Sequence, residues 1–123
     1  MRKIVLSVHE FMTIMGGLDE EIKNGGTEGG AVYEAWHPQY LALEEKVSKL
    51  QPMKYADLLF DGKVTINAIS DEQLADVIGF VDRLIEMHQG LIDEEDMDAD
   101  PEEMESWKGR RKELADLMAV QQM

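Results

Sequence analysis

Between Asp93 and Glu105 the chain reads DEEDMDADPEEME, nine carboxylates in thirteen residues with no basic residue among them. Carboxylates at this density can ligate a hard cation, or they can present negative charge to a basic surface. Asp96, Asp98 and Asp100 fall at the first three ligand positions of an EF-hand loop. Such a loop needs glycine at its sixth position for the sharp turn and a bidentate glutamate at its twelfth. Pro101 and Trp107 stand there instead. Calcium ligation in that geometry is not expected, and no metal is assigned.

Charge presentation is the remaining chemistry. The candidate partner-binding residues are Asp93, Glu94, Glu95, Asp96, Asp98, Asp100, Glu102, Glu103 and Glu105. Carboxylates one helical turn apart lie roughly 6 Å apart along the axis. That is close to the roughly 7 Å between successive phosphates on a strand whose bases are about 3.4 Å apart. A face of this kind fits the Lys/Arg groove of a nucleic-acid-binding protein. Part of the run also has a local explanation. Asp100-Pro101 reads as an N-cap followed by the first helical position, with Glu102 and Glu103 placed against the helix dipole. Asp93 to Asp98 has no such explanation from sequence.

Other reactive types do not assemble into a pattern. Glu34-x-x-His37 has the carboxylate–histidine spacing of di-iron bundles, but those sites need a second copy. The other histidines, His9 and His88, have Leu6 and Ile85 three residues before them. His88 lies on an apolar helical face, which predicts a buried, hydrogen-bonded histidine rather than a base. Ser7 and Ser70 read as helix caps, and no serine stands in a Gly-x-Ser-x-Gly elbow. The glycine-rich stretch NGGTEGG (24–30) lacks the Lys-Ser/Thr of a phosphate loop and the GxGxxG of a dinucleotide site. No catalytic residue and no cofactor is assigned.

The composition narrows the class further. The 123 residues carry 26 acidic and 12 basic side chains, a net charge of −14, and no cysteine. Thiolate metal sites, disulfides and cysteine nucleophiles are excluded. A surface so negative is repelled by nucleic acid and by anionic membranes, and it is attracted to basic protein surfaces. Neither direct nucleic-acid binding nor membrane association is expected. The N-terminus does not read as a signal peptide, and no apolar run approaches the roughly 20 residues that span a bilayer. The expected location is cytoplasmic. In charge and size the chain resembles the DNA-mimic inhibitors made by phages and mobile elements.

These residues must be positioned by one α+β domain, predominantly α, spanning 1–123. Apolar spacings of three and four predict amphipathic helices over 8–23, 31–50, 70–91 and 101–119. Ser7/Glu10 and Ser70/Gln73 form capping boxes for the first and third of these. Gly16-Gly17 predicts a break or kink, and Pro38 predicts either a kink or a helix start. Asp61-Gly62 predicts the turn of a small β-hairpin over about 56–69. Its incoming arm, 55–60, reads equally as strand or helix, and Ile4–Leu6 is available as a further strand. Segments 24–30 and 93–100 are read as a flexible loop and an acidic linker. Trp36 and Trp107 are read as core residues.

The functional expectation is a non-enzymatic acidic module, an inhibitor or adaptor that docks on a basic surface of a partner protein. The alternative is a helical assembly protein that self-associates as a homo-oligomer through the apolar faces of 31–50 and 101–119. A small enzyme comes third.

Overall fold

Ser7 ends one element and caps the next. The computed structural model describes residues 2–26 and 29–122. In it strand β1 (Arg2–Ser7) passes without a loop into helix α1 (Val8–Lys23). The capping box holds the junction: Glu10 N donates to Ser7 Oγ at 3.0 Å, and Ser7 N donates to Glu10 Oε1 at 2.8 Å. Helix α1 then runs unbroken through Gly16-Gly17, against the predicted break. The reason is tertiary. A Cβ on Gly17 would lie 2.3 Å from Cζ of Phe80. Close packing of that ring on bare backbone offsets the propensity cost of the glycine, about 1 kcal/mol.

Helix α2 (Gly30–Ser48) follows. The predicted flexible loop 24–30 falls partly on residues 27 and 28, which lie outside the described residues. Gly29, just before α2, has φ +80°, and a Cβ on it would lie 2.4 Å from Leu18 Cδ2. Both the dihedral and the space call for glycine. Pro38 lies inside α2 on its exposed side, and the helix neither starts nor stops there. It costs the helix one backbone bond, to the Glu34 carbonyl. Helix α2 buries Val32 and Trp36, and the Trp36 ring stacks on Phe11 with centroids 5.8 Å apart.

The Asp61-Gly62 signal is where the sequence reading needs correction. Residues 55–60 belong to a helix, α3 (Pro52–Asp61), with Pro52 in its first turn. This makes five helices among the described residues rather than four. Gly62 is the C-cap of α3: its N–H donates to the Leu58 carbonyl at 2.9 Å, and its carbonyl accepts from Val8 N at 3.0 Å. A Cβ there would lie 2.5 Å from the Leu58 oxygen, so glycine is required for space. Aspartate-glycine makes a hairpin turn only when the arm before it is extended. Here Pro52 starts a helix that reaches Asp61.

The strand that follows, β2 (Lys63–Ile69), therefore pairs with β1 in a two-stranded antiparallel sheet joined through three helices. Ile4 faces Ile66 and Leu6 faces Val64 in register. Simple alternation would turn Ala68 inward. The register shifts between Arg2 and Ile4, pairing Arg2 with Ile69, and Ile69 is fully buried. A bulge of this kind inserts one residue and reverses the phase of the alternation.

Helix α4 (Asp71–Asp93) starts at the predicted Ser70/Gln73 box, with both of its bonds at 3.1 Å. Helix α5 (Pro101–Gln122) starts at the predicted Asp100 cap, whose Oδ1 accepts from Glu103 N at 3.0 Å. The two helices pack along each other, and α1 packs on both α2 and α4. One apolar core joins the sheet to these helices through Leu6, Phe11, Met15, Trp36, Ile69, Leu74, Val77, Val81, Trp107 and Leu114. Among the described residues, no helix is long and apolar enough to cross a membrane.

The turn between α4 and α5 is built from the acidic run. Glu95 N donates to the Ile92 carbonyl at 3.1 Å and Asp96 N to the Leu91 carbonyl at 2.9 Å. These are the two bonds of a Schellman cap, and the residue after the cap must be left-handed. That residue is Glu95, at φ +52°. Glycine takes this conformation with no Cβ penalty. Glu95→Gly is expected to raise stability by about 0.5–1 kcal/mol, net of the extra freedom it gives the unfolded chain. The shift in the urea midpoint checks this, and a fall in the midpoint would contradict the cap assignment.

Candidate partner-binding face

The structure gathers the acidic run at the end of the α4–α5 pair and gives several of its members local tasks. Asp93 Oδ1 accepts from Gln89 Nε2 at 2.9 Å. Asp96 Oδ1 accepts from Asp98 N at 2.8 Å, and the Asp96 carbonyl accepts from Ala99 N at 3.1 Å. This aspartate turn redirects the chain toward the Asp100 cap. Asp93, Glu94, Glu95, Asp96, Asp98, Asp100, Glu102 and Glu105 are all exposed. Met97, at the tip, is fully exposed. Among the described residues no three His, Asp or Glu side chains converge on a point where a metal ion could sit.

Glu103 departs from the expected face. It is half-buried and turned toward the chain itself. Its Oε1 accepts from Trp107 Nε1 at 2.9 Å and lies 2.8 Å from His9 Nε2. The glutamate thus ties α5 to the start of α1. It positions Trp107, which is buried.

The arginines of α4 and α5 are engaged with carboxylates outside the run. Arg110 forks onto Glu10 with bonds of 2.7 and 2.8 Å, and reaches Glu113 at 2.8 Å. Arg111 meets Asp82 at 2.9 Å, and Arg83 forks onto Glu21 at 2.7 and 2.8 Å. Within the run itself, Glu105 meets Lys108 at 3.5 Å and Glu103 meets His9; the other carboxylates have no cationic partner among the described residues. Arginine is suited to this structural use because its planar fork matches a carboxylate. The consequence is electrostatic. The three arginines of α4 and α5 are held by carboxylates outside the run, and most of the run's carboxylates stay uncompensated.

The Glu10–Arg110 fork is the most buried ion pair of this set. Burial alone would push the Glu10 carboxyl up. The Arg110 guanidinium and the Ser7 N–H outweigh burial and hold it below its ordinary range. Arg110 is raised in turn, chiefly by its hydrogen bond to Glu10. No short-range sequence signal marks this pair, since its members are a hundred positions apart.

The remaining candidates from sequence do not form a site. His37 packs on the Tyr33 ring, with centroids 5.1 Å apart, while Glu34 is exposed. His88 is buried as expected, but its Nδ1 has no hydrogen-bond partner among the described residues, contrary to the satisfied histidine predicted. Trp36 Nε1 is buried and unpartnered in the same way. No protein-family model, curated protein sequence or solved structure matches the chain.

Proposed function

We propose that the chain is a non-enzymatic acidic binding module. It docks the α4–α5 end on a basic surface of a partner protein, as an inhibitor or adaptor. A nucleic-acid-binding groove is the natural target, by the logic of DNA-mimic inhibitors. Direct nucleic-acid contact is disfavoured by the charge of −14. One observation carries the reading: the carboxylates of the run face outward and largely unpaired, while Arg83, Arg110 and Arg111 are held by other carboxylates. Opposite charge at such a surface speeds encounter more than it adds to final affinity. The absence of cysteine suits a reducing cytoplasm. Capture of partners from a lysate at about 0.1 M and about 1 M salt tests the reading, because the Debye length falls from roughly 10 Å to roughly 3 Å over that range. Basic or nucleic-acid-binding proteins held at low salt and released at high salt are expected. Capture indifferent to salt would contradict it.

Self-association is the second reading, and α3 favours it more than the surfaces first expected. Helix α3 buries none of its residues, and it exposes Met53 at 82% and Phe60 at 69%. Apolar groups so exposed mark interaction surfaces when they cluster. A monomer at every concentration in light scattering would rule this reading out.

A further inference from the structure

Among the described residues the sheet has two strands, and none lies beside the edge of β2 away from β1. A cleft of about 340 Å³ runs along that edge, between β2 and the C-terminal half of α2. It takes in three consecutive strand residues, Lys63, Val64 and Thr65, and none from β1, which places it at the open edge. Phe11, Leu43 and Val64 give it an apolar floor. In an antiparallel strand, N–H and C=O groups point alternately to either side. Part of the Lys63–Thr65 backbone is therefore turned into the cleft, and among the described residues it makes no hydrogen bond outside the sheet.

The charge of the cleft is opposite to that of the protein. Among the described residues, its charged lining residues are Lys46, on the α2 wall, and Lys63, on the strand wall. Neither ammonium is in an ion pair among the described residues, although the chain holds 26 acidic side chains. A strand edge facing a helix across an apolar floor is the arrangement that receives an added peptide strand. Main-chain bonds to the edge supply affinity, and groups on the walls select the side chains.

We infer that the β2–α2 cleft binds an extended peptide as an added strand, with an acidic side chain or C-terminal carboxylate held between Lys46 and Lys63. This surface is separate from the acidic run, and it selects ligands of the opposite sign.

A displayed library of octapeptides with free C-termini, panned against the full chain, tests the inference. Enrichment of sequences with Asp, Glu or a terminal carboxylate next to apolar residues is expected. The best binder should lose at least tenfold in affinity toward a Lys46→Glu/Lys63→Glu variant, whose exposed positions leave the fold intact by circular dichroism. A milder Lys46→Gln/Lys63→Gln variant should fall between the two. A copy of the peptide methylated on alternate backbone nitrogens should also lose at least tenfold, because it cannot complete the ladder. No enrichment would overturn the inference. So would enrichment of Lys- and Arg-rich peptides only, which would report the acidic run instead, or equal binding by the methylated copy.

Discussion

Trp107→Ala is expected to lose about 3–5 kcal/mol of stability, the usual cost of emptying a buried tryptophan site. That is a large share of the roughly 5–15 kcal/mol that holds a typical domain. The milder exchange to phenylalanine separates two contributions. Trp107 is 2% exposed and donates its indole N–H to the Glu103 carboxylate at 2.9 Å. Trp107→Phe keeps most of the apolar contact and removes this charge-assisted bond, so about 1–2 kcal/mol should be lost. Trp36 is also 2% exposed, but its indole N–H has no partner among the described residues. Trp36→Phe removes a buried unsatisfied donor, a gain of about 1–3 kcal/mol, against a similar loss of packing. Its net effect should be close to zero. Urea unfolding of the two phenylalanine variants checks the contrast. Equal losses at both positions would show that the Trp107–Glu103 bond contributes nothing.

Glu10→Gln is expected to cost about 2 kcal/mol at neutral pH. The substitution weakens both the Arg110 fork and the capping box at Ser7, and it leaves the half-buried guanidinium with only the exposed Glu113 as a charged partner. The pH dependence is the sharper part. The Glu10 carboxyl is held below its ordinary value of 4.5, so it contributes stability that is fully present above that value. The contribution is lost as pH falls through the depressed folded value. The gap between the parent and Glu10→Gln should therefore be full at pH 7, shrink below about 4.5, and close in stronger acid. Unfolding midpoints measured across this range check it. A gap as wide in strong acid as at neutrality would mean that the fork is not an ion pair in solution.

What could be read from the sequence was local. Ser7/Glu10, Ser70/Gln73 and Asp100-Pro101 each hold their whole signal within four residues, and each is a helix start in the structure. The predominantly helical α+β class and the use of Ile4–Leu6 as a strand followed from the same short-range patterns. What escaped depends on distant neighbours. Gly17 looks like a weak point until Phe80 is seen across from it. Asp61-Gly62 looks like a hairpin turn until Pro52 starts a helix before it. Ile69 is buried only because a bulge reverses the alternation.

The acidic run divides along the same line. Its cap at Asp100 was legible, and the Schellman turn around Glu95 was not, because nothing but backbone geometry sets it. The inward turn of Glu103 was hidden because His9 lies ninety-four positions away. The pairing of Arg110 and Arg111 with Glu10 and Asp82 was hidden for the same reason. Yet that pairing keeps both arginines from the run, most of whose carboxylates have no cationic partner among the described residues.

Neutralising Asp93, Glu94, Glu95, Asp96 and Asp98 to their amides is the most direct test of the acidic face. The amides keep the oxygen acceptors that the turn uses, including Asp96 Oδ1 toward Asp98 N. Folding should be unchanged, with the same unfolding midpoint as the parent. Partner capture at about 0.1 M salt should fall at least tenfold, since only the charge has been removed. Undiminished capture by the neutralised chain would contradict a charged docking face and leave the segment a solvated turn between two helices.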